Sequence, residues 1–170
     1  ALFYLRDAGY DVVAFEGPGQ GGALNEAGLV MTPEWHKPVK AVLDYFQLNR
    51  VTLMGLSMGG CLALRAAAFE PRIERVIAYD IMSDFLGVIL RLVNPVIRGL
   101  LKTQMNLQAA PLVNALVQQA VKKSPVLEWG LYQGMHVTGT SSPFAYLRKI
   151  KRFHTTDVSP LVKQDVLLLA

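Results

Sequence analysis

Four short runs of almost unbroken apolar residues punctuate the chain, at positions 12–15, 51–54, 76–79 and 166–169. Runs of this length without polar alternation fit strands covered on both faces, as in a parallel sheet. Between the first two, Thr32 reads as a helix N-cap and Pro33 as the first helical residue. Trp35, Val39, Val42, Leu43 and Phe46 then recur on one helical face. After the second run, Cys61, Leu62, Leu64, Ala66, Ala67 and Ala68 predict a helix over 58–69, which Pro71 stops. Strand, helix and strand follow one another with no hairpin signal, so the expected class is α/β with right-handed crossovers.

The third and fourth runs are separated by far more chain than one crossover helix needs. Residues 85–155 fill that gap with helix-like segments punctuated by Pro95, Pro111, Pro125 and Pro143, which reads as a helical cap inserted into the α/β core. The expected organisation is a core over 1–84, a cap over 85–155 and a final core strand within 156–170. In the first piece of the cap, 85–102, Arg91, Arg98 and Lys102 fall near one face. Phe85, Ile89, Leu92, Val93, Val96 and Leu100 spread over the rest and need a packing surface.

With 170 residues, 52% apolar and 18% charged, the chain has material for one compact core, and disorder is excluded as the default. The single cysteine, Cys61, cannot close an intrachain disulfide, and His36, His136 and His154 lack metal-ligand spacing, so no metal is expected. No apolar run approaches the roughly twenty residues of a bilayer span. Residues 1–10 include Arg6 and Asp7 and do not resemble a signal peptide, which points to a cytoplasmic setting. Charge is uneven: residues 85–155 hold nine Lys or Arg against one acid, Glu128, within a chain of net charge +4. Solvated helix faces are the commoner reason for such a bias, and attraction of an anionic substrate or lipid surface is the functional alternative.

The strongest chemical signal is Gly55-Leu56-Ser57-Met58-Gly59, placed where the second strand ends and the alanine-rich helix begins. A serine on so tight a strand-to-helix turn holds a strained backbone with its hydroxyl exposed, and glycines two residues to either side leave room for the turn. Ser57 is therefore the candidate nucleophile, and the Met58 N–H, unpaired at the helix start, is half of a candidate oxyanion hole. The alternative is a plain Gly-Ser turn into a helix.

With these residues the chain resembles the α/β-hydrolase family along essentially its whole length. Phe15-Glu16-Gly17-Pro18-Gly19-Gln20-Gly21 looks like the family's acidic-x-x-Gly-x-Gly turn after strand four, with Glu16 in place of the more frequent Asp. The elbow then marks strand five, residues 73–80 strand six, and 165–170 strand seven, with the cap inserted after strand six. The resemblance implies a central fragment of the family's fold, strands four to seven. The catalytic acid and histidine would then lie beyond Ala170, and the second oxyanion N–H before Ala1. It also implies that strands five to seven pair side by side, while the strand at 12–15 lacks its usual neighbour. No cofactor is implied, and the substrate class is a small acyl or carbonyl compound.

Three rivals stand beside this reading. Asp80 or Asp84 with His136 or His154 preserves the order serine, acid, histidine, and would complete a triad inside the chain. The bland reading makes Asp80 a polar strand end, Asp84 a helix N-cap and the segment around His136 a glycine-hinged loop, with a place in the substrate pocket as the functional one. Gly17, Gly19 and Gly22 satisfy the dinucleotide fingerprint G-x-G-x-x-G, although Gly28 and Pro33 delay the helix it should open and the acid near the expected distance, Asp44, sits inside that helix. The third rival is a non-catalytic scaffold whose basic cap binds an anionic lipid or protein partner. Nucleic acid is not expected, because Phe144, Tyr146 and Phe153 near the basic residues fit a cap core equally well.

Overall fold

The computed structural model describes residues 2–122 and 124–170. Three strands, β1 (Val51–Leu56), β2 (Ile73–Tyr79) and β3 (Asp165–Leu169), form one parallel sheet in the order β1-β2-β3. Before the sheet lie α1 (Leu2–Asp7), α2 (Gly21–Asn25) and α3 (His36–Tyr45), and α4 (Met58–Ala67) crosses from β1 to β2. Between β2 and β3, which are neighbours in the sheet, run α5 (Phe85–Arg91), α6 (Pro95–Asn106), α7 (Ala110–Val121), α8 (Pro125–Thr138) and α9 (Pro143–Ile150).

Three of the four apolar runs are strands, and the fourth is not: residues 12–15 have no regular structure, and Val12 and Val13 are exposed. A strand is stabilised by its ladder, and among the described residues none lies beside this segment to supply one. The sheet is accordingly three-stranded rather than four-stranded. All five residues of β3 are exposed, so an apolar strand forms one edge of the sheet.

Helix boundaries depart from the sequence pattern for local reasons. Thr32 caps a turn instead of the helix: its Oγ1 accepts from the Glu34 N–H at 3.1 Å, and α3 starts at His36. The amphipathic piece 85–102 is broken into α5 and α6 because the Asn94 side chain accepts from the Val96 N–H and Pro95 opens a new helix. The stretch around His136 is helical as far as Thr138 instead of looped. Gly134 is small so that the Tyr146 ring can lie on it, 2.4 Å from where a Cβ would stand, and Gly139, at φ 62°, ends α8 in the left-handed region.

Helix α4 packs on β1 and β2, and α3 packs on α4. Helices α5 to α9 pack chiefly on one another, yet their buried side chains, Leu90, Leu101, Val113, Leu131 and Ile150 among them, join those of Val39, Leu62 and Val76 in one continuous apolar core. A further tie runs from the loop before α3, where the Met31 N–H donates to the Val137 carbonyl at 2.8 Å.

The turn from α4 into β2 is fixed by a buried acid. Glu70, 4% exposed, receives Nε and Nη2 of Arg72, both at 2.8 Å, and Arg72 reaches Asp44 at the end of α3 with its Nη1. The Arg72 hydrogen bond holds the Glu70 carboxyl below its ordinary value of 4.5. A depressed carboxyl contributes stability above 4.5 that fades as pH falls through the folded-state value. Glu70→Gln should therefore lower the urea midpoint at neutral pH and flatten its fall in acid. An unaltered acid limb would contradict the pairing.

Candidate active site

The strand-to-helix turn after β1 holds Ser57, one of four described non-glycine residues with positive φ. Ser57 stands at φ 55°, ψ −119°, a region that costs a non-glycine residue about 1–3 kcal/mol and persists only where surroundings enforce it. Here the enforcement is visible. The Ser57 N–H donates to the Tyr79 carbonyl at 2.8 Å, and its own carbonyl accepts from the N–H groups of Met82 and Gly60, both at 3.1 Å. Both backbone polar groups of the serine are thus engaged, two of the three bonds running to the carboxyl end of the neighbouring strand.

Of the two motif glycines, one is obligatory. A Cβ on Gly55 would fall 2.1 Å from the Gly59 carbonyl oxygen, because the first turn of α4 folds back over the strand end. A Cβ on Gly59 would meet nothing within 4 Å, so the symmetrical role expected for both positions is corrected: Gly55 admits the helix, and the next tight contact is at Gly60, packed on Ala78 and Ile81. Gly55→Ala should cost about 1–3 kcal/mol by overpacking. Gly59→Ala should cost well under half of that, both read from urea midpoints.

Ser57 is half-buried, and no hydrogen bond engages its hydroxyl among the described residues. Met58, the first residue of α4, has no intrahelical acceptor for its N–H, which together with that of Gly59 faces the start of the helix. A developing oxyanion beside the Ser57 hydroxyl would find these donors already oriented. Four residues on, Cys61 is fully buried, and burial pushes its thiol up to about 11, which keeps it protonated.

The sequence-proposed acids and base lie as follows. Asp80 directly follows β2 at φ 50°, exposed, with its N–H donating to the Leu169 carbonyl at 2.6 Å. Asp84 is the N-cap of α5, its carboxylate accepting from the Gly87 N–H at 2.9 Å. His136 is exposed in the last turn of α8, and His154 sits beside Asp157, with 3.4 Å between Nδ1 and Oδ1. Among the described residues, no histidine ring is hydrogen-bonded to Ser57, Asp80 or Asp84. No three His, Cys, Asp or Glu side chains gather there in a metal-binding arrangement.

The glycine loop 17–22 has its amides committed. The Gly17 N–H donates to Gln20 Oε1 at 3.0 Å, Gly19 to the Leu29 carbonyl at 2.6 Å, and Gly22 to Glu16 Oε2 at 3.0 Å. A pyrophosphate would need those donors, and the helix that follows, α2, is five residues long and does not descend from a strand. Helix α2 does open directly from the loop, contrary to expectation, but the amides of Gly17, Gly19 and Gly22 are engaged by Gln20, the Leu29 carbonyl and Glu16.

The model of a family described as "Alpha/beta hydrolase family" matches residues 1–163. The chain belongs to the alpha/beta hydrolase family. Curated relatives include Hydrolase acrC of Aspergillus aculeatus, 32% identical over 91% of this chain and 38% of that protein. Hydrolyase poxO of Penicillium oxalicum is 33% identical over 89% of this chain and 39% of that protein. The chain thus spans about two fifths of the length of these relatives. In fold it resembles Rv0554 of Mycobacterium tuberculosis, with a TM-score of 0.51 and 16% identity over 96% of this chain and 62% of that one. Family membership fits the three-stranded parallel sheet and the tight turn at Ser57. Among the described residues no helix is long and apolar enough to cross a membrane.

Proposed function

We propose that the protein of which this chain is part is a serine hydrolase acting on a small ester or related carbonyl compound, with Ser57 as nucleophile. The observation that carries the proposal is the serine's φ of 55° on a turn held from β2, which projects an unpaired hydroxyl beside the free amides of α4. Hydrolysis would proceed by attack of the Ser57 oxygen on the carbonyl carbon as a histidine removes its proton. The Met58 N–H would stabilise the tetrahedral oxygen, the leaving group would depart with a proton, and water would then release the acyl group. The acid and histidine belong to the intact protein outside the described residues in this reading, since none of the described histidines or of Asp80 and Asp84 is hydrogen-bonded to Ser57. Helices α5 to α9 act as the cap, a division supported by the closeness of Asp84 and His154, the points where that segment leaves and rejoins the core. The name of one relative, Hydrolase acrC, agrees with this class of chemistry.

The test is labelling of the intact protein with a fluorophosphonate, followed by peptide mass spectrometry. The adduct should fall on Ser57 and vanish in Ser57→Ala; an adduct elsewhere, or none, would reject the assignment.

A further inference from the structure

A buried charged side chain besides Glu70 lies two turns along α4 from the serine and is held by three hydrogen bonds from its Nε and Nη1. Arg65 of α4 is 8% exposed, and its guanidinium joins three segments of the chain. Nε donates to the Pro33 carbonyl at 2.8 Å, just before α3. Nη1 donates to the His154 carbonyl at 2.6 Å and to Asp157 Oδ1 at 2.7 Å. Ser57, Cys61 and Arg65 follow at intervals of four, so they form one stripe along α4.

The segment that Arg65 grips is the neck of the helical region. The Phe85 N–H donates to the Phe153 carbonyl at 3.1 Å and the Thr155 N–H to the Ser83 carbonyl at 3.0 Å, closing an antiparallel bridge between Asp84 and His154. Both ends of α5 to α9 therefore meet at one place. The His154 carbonyl points to Arg65, and Asp157 braces the guanidinium from the following turn. Only arginine has a planar fork of donors able to serve three acceptors in fixed directions from a buried position.

We infer that Arg65 is a positioning residue that locks the neck of the helical region to the helix carrying Ser57, and so fixes where that region stands over the candidate site. The shared apolar core and the single backbone bond from Met31 to Val137 hold the region at its far side; the Arg65 clamp adds a directional polar anchor at the neck, where the region leaves and rejoins the core. The inference rests on the serine-hydrolase reading for its effect on substrate, while the mechanical part stands on the hydrogen bonds alone.

Two variants of the intact protein test it, Arg65→Lys and the milder Asp157→Asn, whose side chain is partly exposed and whose folding is less at risk. Amide exchange of Phe85 and Thr155 should accelerate at least about tenfold, the scale of losing one hydrogen bond, while the amides of β1 and β2 keep their protection. With an acyl ester as substrate, KM should rise more than kcat falls, and fluorophosphonate should still label Ser57 at an unchanged rate. Unchanged exchange at Phe85 and Thr155, or equal acceleration throughout the strands, would overturn the clamp. If no ester is turned over by any form, the exchange result still decides the clamp, and the failure falls on the proposed chemistry.

Discussion

Ser57→Ala in the intact protein should reduce ester hydrolysis at least about a thousandfold, because loss of a serine nucleophile removes the covalent route and leaves only binding and oxyanion contacts. The same change should leave the urea midpoint almost untouched. The backbone bonds to Tyr79, Met82 and Gly60 do not involve the hydroxyl, and alanine keeps the Cβ that the φ of 55° already accommodates. The pairing of large kinetic loss with negligible stability loss separates a nucleophile from a structural turn serine. Retained turnover would remove Ser57 from the chemistry.

The largest effect on stability is expected at Phe153. Its ring is fully buried at the neck, and its carbonyl accepts from Phe85. Phe153→Ala should cost about 3–5 kcal/mol, the usual range for deleting a buried aromatic ring, read from chemical denaturation. Phe144→Ala, with a partly buried ring on the same core, serves as the comparison and should cost less. Equal costs would mean that the neck carries no special share of the packing.

The apolar runs made β1, β2 and β3 legible, since each is short, unbroken and bounded by turn residues. The run at 12–15 has the same composition and is no strand, because ladder partners come from elsewhere in the chain and leave no mark on the segment itself. Thr32 carried a correct capping signal that the chain uses for a turn, a competition between equivalent hydrogen bonds that spacing does not resolve. The glycines around His136 suggested a hinge, whereas one accommodates a tyrosine ring from another helix and the other ends the helix.

At the candidate site the elbow was legible because its parts lie within five residues. The Arg65 cluster was not: its partners lie 32, 89 and 92 residues away, and an arginine in an alanine-rich helix reads as a solvent-facing position. Its offset of eight from Ser57 places it on the serine's own stripe, beside the buried Cys61, which was the one available hint.

The bridge between Asp84 and His154 also bears on how such a chain diversifies. Because departure and return lie side by side, the intervening stretch can be shortened to a hairpin, lengthened or exchanged for another without altering the register of Tyr79 against Leu169. A replacement must present an apolar surface to the shared core, but it need not supply any part of the sheet. The bonds that hold the Ser57 turn, to Tyr79, Met82 and Gly60, all lie outside the exchanged stretch, so the strained serine is inherited intact.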